Sequence, residues 1–252
     1  MIIDIHAHIE DPTALYFDSS AEGVIGLMDQ CGIDMSVIGA LQWLAGYPAQ
    51  ANVATAKAVE KYPNRFMGTV YVHPQGGIDK ALEEAERYVR QLGFKAIGEI
   101  HPATEFTPAN SERYYYPVME KAIELKVPVH IHCGDPATDP FSGPMLIGDL
   151  AERFPEARII LGHLGHRRWY DAIWTVKNHD NLLVDTSFAQ TSALVKAVQV
   201  LGAERVLFGT DTPVNNPAAM LSHVRGAYGL TEEQKSLILG KNAAKLLGLK
   251  ER

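Results

Sequence analysis

The sequence has 252 residues, 46% hydrophobic and 21% charged, a balance that supports a large buried core and excludes a mostly disordered chain. Its net charge of −7, from 30 acidic against 23 basic side chains, disfavours general binding to nucleic acid or to an anionic membrane. Two cysteines cannot build a disulfide framework, no apolar run approaches the roughly 18 residues of a membrane helix, and the opening Met1-Ile2-Ile3-Asp4-Ile5-His6 has no leader-like pattern, so a cytoplasmic protein is expected.

Short apolar runs recur along the chain at residues 2–5, 36–40, 67–72, 96–100, 127–132, 158–161, 182–184 and 205–208. Each has the length of a strand buried on both faces. The stretches between them carry helical periodicity. Residues 78–92 place Ala81, Leu82, Ala85, Tyr88, Val89 and Leu92 on one face, with Gly93 as a C-cap. A further helix should run through Val118, Met119, Ala122 and Ile123, with Pro117 in its first turn. Thr231 and Gln234 form a capping-box pattern ahead of Leu237, Ile238 and Leu239. Strand–helix alternation implies right-handed crossovers and a parallel sheet. Eight such units in about 250 residues predict an α/β fold, a (β/α)8 TIM barrel, with residues 1–252 as a single domain. The rival, an open doubly wound sheet, has in its nucleotide-binding form a Gly-rich turn after the first strand, and none is present.

In such a barrel the chemistry sits at the C-terminal ends of the strands. Eight of the ten histidines fall there: His6, His8, His73, His101, His130, His132, His163 and His166. Positions i and i+2 of a strand share a face, so His6 and His8 can reach one ion at about 2.0–2.1 Å, although two packed histidines would give the same spacing. On strand five, His132 lies nearer the mouth and is the expected ligand, and His130 lies a layer deeper as a packed or supporting group. His163 stands between Gly162 and Gly165, which let backbone approach a ligand. Asp211 lies in a Thr-Asp-Thr-Pro turn, and taken alone it reads as a turn or N-cap aspartate. Glu99 follows small and apolar residues, where a carboxylate is costly unless it bridges metal ions or pairs with a cation. His73 and His101 precede prolines and read as peripheral, and Asp185 as a hydrogen-bonding support. For substrate contact the candidates are His166, Arg167 and Trp169, with Tyr16, Gln42, Trp43 and Arg168 further out. An arginine there suits a carboxylate or phosphate.

His-x-His on strand one, His132, His163 and Asp211, in that order, resemble the metal-binding pattern of the amidohydrolase superfamily. The subgroup most similar includes aromatic-acid decarboxylases and lactone hydrolases. The resemblance runs from Ile3-Asp4-Ile5-His6-Ala7-His8 to the closing residues 240–249. Glu99 stands where many relatives carry a lysine, and its surroundings resemble strand four of TatD-like nucleases, in which the glutamate bridges two metals. The resemblance implies one or two divalent ions, zinc first and manganese as an alternative, held by His6, His8, Glu99, His132, His163 and Asp211. It also implies hydrolysis of an amide, lactone or ester of a small molecule. A bound ion lowers the pKa of water from about 15.7 to about 7, Asp211 shuttles the proton, and His163 polarises the carbonyl or binds a second ion. Non-oxidative decarboxylation on the same site and TatD-like phosphodiester or DNA cleavage are the alternatives. The expected partner is a small molecule, with monomer and homo-oligomer both left open.

Overall fold

The computed structural model describes residues 1–10, 18–41, 48–73, 76–134 and 140–249. Its eight strands are β1 (Ile3–Ile9), β2 (Met35–Ala40), β3 (Phe66–Val70), β4 (Ala96–Ile100), β5 (Val129–Ile131), β6 (Ile159–Leu161), β7 (Leu182–Asp185) and β8 (Val206–Leu207). They lie in sequence order in one sheet and alternate with helices, the (β/α)8 TIM-barrel architecture. No helix among the described residues is long and apolar enough to cross a membrane. The chain divides into two compact units, Met1–Gly68 with Asp185–Arg252, and Thr69–Val184.

In the first unit β1 pairs with β2 in parallel, and β2 with the start of β3. All seven residues of β1 are buried, as expected for a strand covered on both faces. Its register against β2 shifts between Asp4 and Ala7, so that Ile5 and His6 oppose Val37 alone. That is a β-bulge, which turns a side chain out of the regular alternation. The end of β8 docks on β1: Asp211 N–H donates to the His6 carbonyl at 2.7 Å, and Ile5 N–H to the Phe208 carbonyl at 2.8 Å. Helix α1 (Ala21–Cys31) starts at a Ser20 cap and stops at Gly32, whose φ is 67°. Helices α2 (Pro48–Lys61), α7 (Thr191–Leu201) and α8 (Pro217–Arg225) also belong here. The closing segment comprises α9 (Glu232–Ser236), a π turn over Leu237–Lys241 and α10 (Asn242–Leu246). The capping box is formed by Thr231 and Gln234. Asn242 clasps the segment to the sheet, donating to the carbonyls of Ala203 and Val206 at 2.8 Å each.

In the second unit β3 to β7 pair in parallel around a core that includes Ile97, Ile100, Val129, Ile131, Ile147, Ile159 and Leu161. Helix α3 (Ile78–Leu92) ends at Gly93 with φ 72°, and α4 (Tyr116–Leu125) carries Pro117 in its first turn. Helices α5 (Pro144–Arg153) and α6 (Trp169–Asn178) complete the unit. Here too one strand is bulged: Gly98 and Glu99 of β4 oppose His130 alone. Gly98 has φ 125°, and a Cβ on it would run into the His130 carbonyl oxygen, so the close approach of the two strands requires glycine.

Candidate metal centre

The first unit gathers three of the predicted ligands at the ends of β1 and β8. His6 Nε2 and His8 Nε2 are 3.1 Å apart, and Asp211 Oδ1 lies 3.1 Å from the second and 3.6 Å from the first. Each ring is held by its other nitrogen. His6 Nδ1 faces Asp185 Oδ2 at 3.2 Å, and His8 Nδ1 faces the Gly39 carbonyl at 3.2 Å. A carbonyl and a carboxylate oxygen only accept, so both Nδ1 atoms carry the proton in the neutral rings. Two nitrogen lone pairs then converge with a carboxylate oxygen. Their separations match the ~3.3 Å edge of a tetrahedron built on metal–ligand bonds of about 2.0–2.1 Å. A donor set of this kind, all buried, suits a divalent cation.

Backbone geometry aims these groups. His6 sits in the bulge of β1, and Asp211 has φ 59°, in the left-handed region. Asp4, two residues before His6, locks the β1–β8 contact by accepting from Thr210 Oγ1 at 2.5 Å, Thr210 N–H at 3.0 Å and His6 N–H at 3.0 Å. Burial pushes its carboxyl up to about 7 against the pull of those donors. Asp4, His6 and His8 stand at i, i+2 and i+4, so the spacing that singles out the two histidines extends back to Asp4.

The second unit gathers the other three. Glu99 Oε1 lies 3.1 Å from His132 Nδ1 and 3.3 Å from His163 Nε2, and the two nitrogens are 2.9 Å apart. These atoms satisfy the spacing of a metal-ligating trio. Glu99 occupies the bulge of β4, as His6 does that of β1. His163 opens a tight turn in which His163, Leu164, Gly165 and His166 all have positive φ, between 48° and 76°. Three of the four carry a Cβ, at a cost of about 1–2 kcal/mol each, which places backbone strain at a candidate site. A Cβ on Gly165 would lie 2.5 Å from that of Ala172, so this position needs glycine for space as well as conformation. His101 stacks on His132 with ring centroids 3.8 Å apart. Burial, helped by the adjacent His132, lowers its pKa to about 3, so it is neutral. His130 is buried, as its deeper position predicted.

The candidate substrate residues follow His163. His166 is half-buried with its ring 6.5 Å from that of His163, Arg167 is exposed, and Trp169 opens α6 half-buried. Arg168 is held by Asp171 at 2.5 Å. His73 is half-buried, with its ring 6.3 Å from that of Tyr71. Tyr16, Gln42 and Trp43 lie outside the described residues.

A family model described as amidohydrolase matches residues 3–249. The chain belongs to the amidohydrolase family. Among curated proteins, this amidohydrolase is 26% identical to a gamma-resorcylate decarboxylase of Polaromonas over 255 residues, covering 76% of each chain. It is 32% identical to a 2-keto-4-carboxy-3-hexenedioate hydratase of Sphingobium over 139 residues, 46% of this chain and 40% of that one. Among solved structures, a dihydroxybenzoic acid decarboxylase of Polaromonas with bound manganese and the inhibitor 2-nitroresorcinol superposes with a TM-score of 0.78 at 19% identity. That match covers 100% of this chain and 98% of the other. At that identity it speaks for the fold alone.

Proposed function

We propose that this amidohydrolase is a metal-dependent non-oxidative decarboxylase acting on a small hydroxylated aromatic carboxylic acid. The observation that carries the metal requirement is the meeting of His6 Nε2, His8 Nε2 and Asp211 Oδ1, with both rings anchored through Nδ1. The curated decarboxylase relatives favour loss of CO2 over the hydrolysis expected first. His6, His8 and Asp211 would hold one divalent ion, manganese or zinc, and Glu99, His132 and His163 offer a second donor set. Bound there, such an ion supplies Lewis acidity toward the oxygens of the substrate.

The chain's own groups do the rest. The bond between the ring and its carboxylate breaks, the electron pair stays on the ring carbon, and a proton takes it. Carbon dioxide leaves and no water is consumed. Asp211 Oδ1 faces His8, so the proton is assigned to Oδ2, which delivers it to the ring carbon and is recharged from solvent. His163, turned toward Glu99 and His132, orders the polar edge of the substrate. Arg167 meets the substrate carboxylate, and His166 and Trp169 flank its ring.

The test is product analysis in H2-18-O and, separately, in D2O. CO2 released in step with substrate loss, deuterium on the vacated carbon and no solvent oxygen in the product support decarboxylation. Solvent oxygen in the product without CO2 overturns it, and points to hydrolysis when a bond is cleaved or to hydration when water is added.

A further inference from the structure

Asp185, Thr186 and Ser187 leave the end of β7 as three consecutive polar residues, all buried. The reaction above uses none of them, yet each is committed to one neighbourhood. Asp185 Oδ2 faces His6 Nδ1 at 3.2 Å. Its other oxygen, Oδ1, accepts the Ser187 N–H at 2.8 Å and the Ser187 hydroxyl. Ser187 Oγ also lies 3.4 Å from His6 Nδ1. Thr186 fastens this turn to the end of β8, its hydroxyl donating to the Gly209 carbonyl and accepting the Gly209 N–H, both at 3.1 Å. Gly209 closes the other side: a Cβ there would lie 2.9 Å from Asp185 Oδ1 and 3.0 Å from its Cβ. The carboxylate therefore has a fixed place and a fixed rotation. Oδ1 meets Ser187 and Oδ2 meets His6.

We propose that Asp185, braced by Ser187, is a positioning residue that fixes the tautomer and the aim of His6. The inference rests on the reading of His6 as a metal ligand. Oδ2 faces the ring as an acceptor, so it admits His6 with the proton on Nδ1 and leaves the Nε2 lone pair facing His8 and Asp211. An asparagine at 185 would keep its carbonyl oxygen on the two Ser187 donors and present its NH2 to His6. The ring would then place its proton on Nε2, where it points at His8 and Asp211 and opposes a cation. Charge and donor pattern, more than bulk, are what position 185 contributes.

Two measurements test this on the full chain. Nitrogen-resolved NMR of the histidines reads the His6 tautomer in metal-free protein. Calorimetric titration with manganese reads affinity in the wild type, Asp185→Asn, Ser187→Ala and His6→Ala. The wild type should carry the proton on Nδ1. Asp185→Asn should move it to Nε2 and weaken manganese binding by about 10–100-fold with an unchanged metal-free melting temperature. Ser187→Ala should mix the tautomers and weaken binding by a smaller factor. An Asp185→Asn protein that keeps the Nδ1 proton, or binds manganese within about two-fold of the wild type while His6→Ala loses binding, overturns the proposal. If Asp185→Asn does not fold, Ser187→Ala decides, and a wild-type tautomer and affinity in it overturn the proposal equally. Undiminished binding in His6→Ala would instead sink the assignment of His6 as a metal ligand, and the tautomer in metal-free protein would still decide the role of Asp185.

Discussion

Asp211 combines a left-handed backbone with a carboxylate turned onto His8, and a test of its role must spare the first while removing the second. Asparagine tolerates the left-handed region as well as aspartate does and matches its shape. Asp211→Asn should fold normally yet lose about 10²–10⁴-fold in CO2 release at saturating manganese, the usual share of a proton donor. Near-normal turnover in that variant would remove Asp211 as the source of the proton. A different residue-scale effect belongs to Glu105, whose partners Tyr71 and Tyr115 lie 34 and 10 residues away in sequence. It is 2% exposed and accepts the hydroxyls of Tyr71 at 2.8 Å and Tyr115 at 2.6 Å. Burial outweighs those two donors and raises its carboxyl from 4.5 to about 7. Because the folded value lies above the unfolded one, the folded protein binds the extra proton, and stability falls as pH rises from about 4.5 to about 7. The loss is at most about 3–4 kcal/mol, at ~1.4 kcal/mol per pKa unit. Glu105→Gln keeps the shape without the titration. Its melting temperature relative to the wild type should therefore climb between pH 5 and pH 8, and a pH-independent difference would contradict the raised carboxyl.

At the scale of elements, periodicity served where a strand or helix is regular. β4 spans Ala96–Ile100 and α3 spans Ile78–Leu92, the bounds that the apolar pattern predicts. It overran β8, where four residues were expected and two are strand, because Arg205 closes a 3-10 turn and Phe208 gives its N–H to the Ile238 carbonyl of the closing segment. The ligands themselves were legible as residue types at strand ends. Their supports were not, since the Gly39 carbonyl and Ser187 act through contacts distant in sequence, and the two bulges depend on partner strands that spacing alone cannot reveal. These bulges carry a stability prediction. Gly98→Ala forces a Cβ onto the His130 carbonyl at a φ that suits only glycine, so it should cost more than about 2 kcal/mol and displace Glu99. Thr231→Ala removes one half of an exposed capping box and should cost about 1 kcal/mol, leaving activity intact. Denaturant midpoints compare the two directly. Equal losses would mean that the crowding at Gly98 relaxes cheaply and that the β4 bulge is not a fixed feature.

For the molecule as a whole, the family match covers residues 3–249 and both donor sets fall inside it, His6, His8 and Asp211 in one compact unit and Glu99, His132 and His163 in the other. Each set crowds a carboxylate against two imidazoles with little solvent to screen it, an arrangement that is costly without a cation and stabilised by one. Metal should therefore act on folding as well as on catalysis. Free manganese at about 100 times its dissociation constant adds about 2.7 kcal/mol through mass action, which for a chain of this size raises the melting temperature by about 5–10 °C. Chelation should reverse the shift. Elemental analysis of metal-loaded protein should find about two equivalents, and Glu99→Gln should retain about one together with much of the thermal shift. An unchanged count in Glu99→Gln would remove that carboxylate from metal binding and leave His132 and His163 as groups that meet substrate. A melting temperature indifferent to both manganese and chelator would mean that neither trio captures a cation, since binding to the folded state cannot fail to stabilise it.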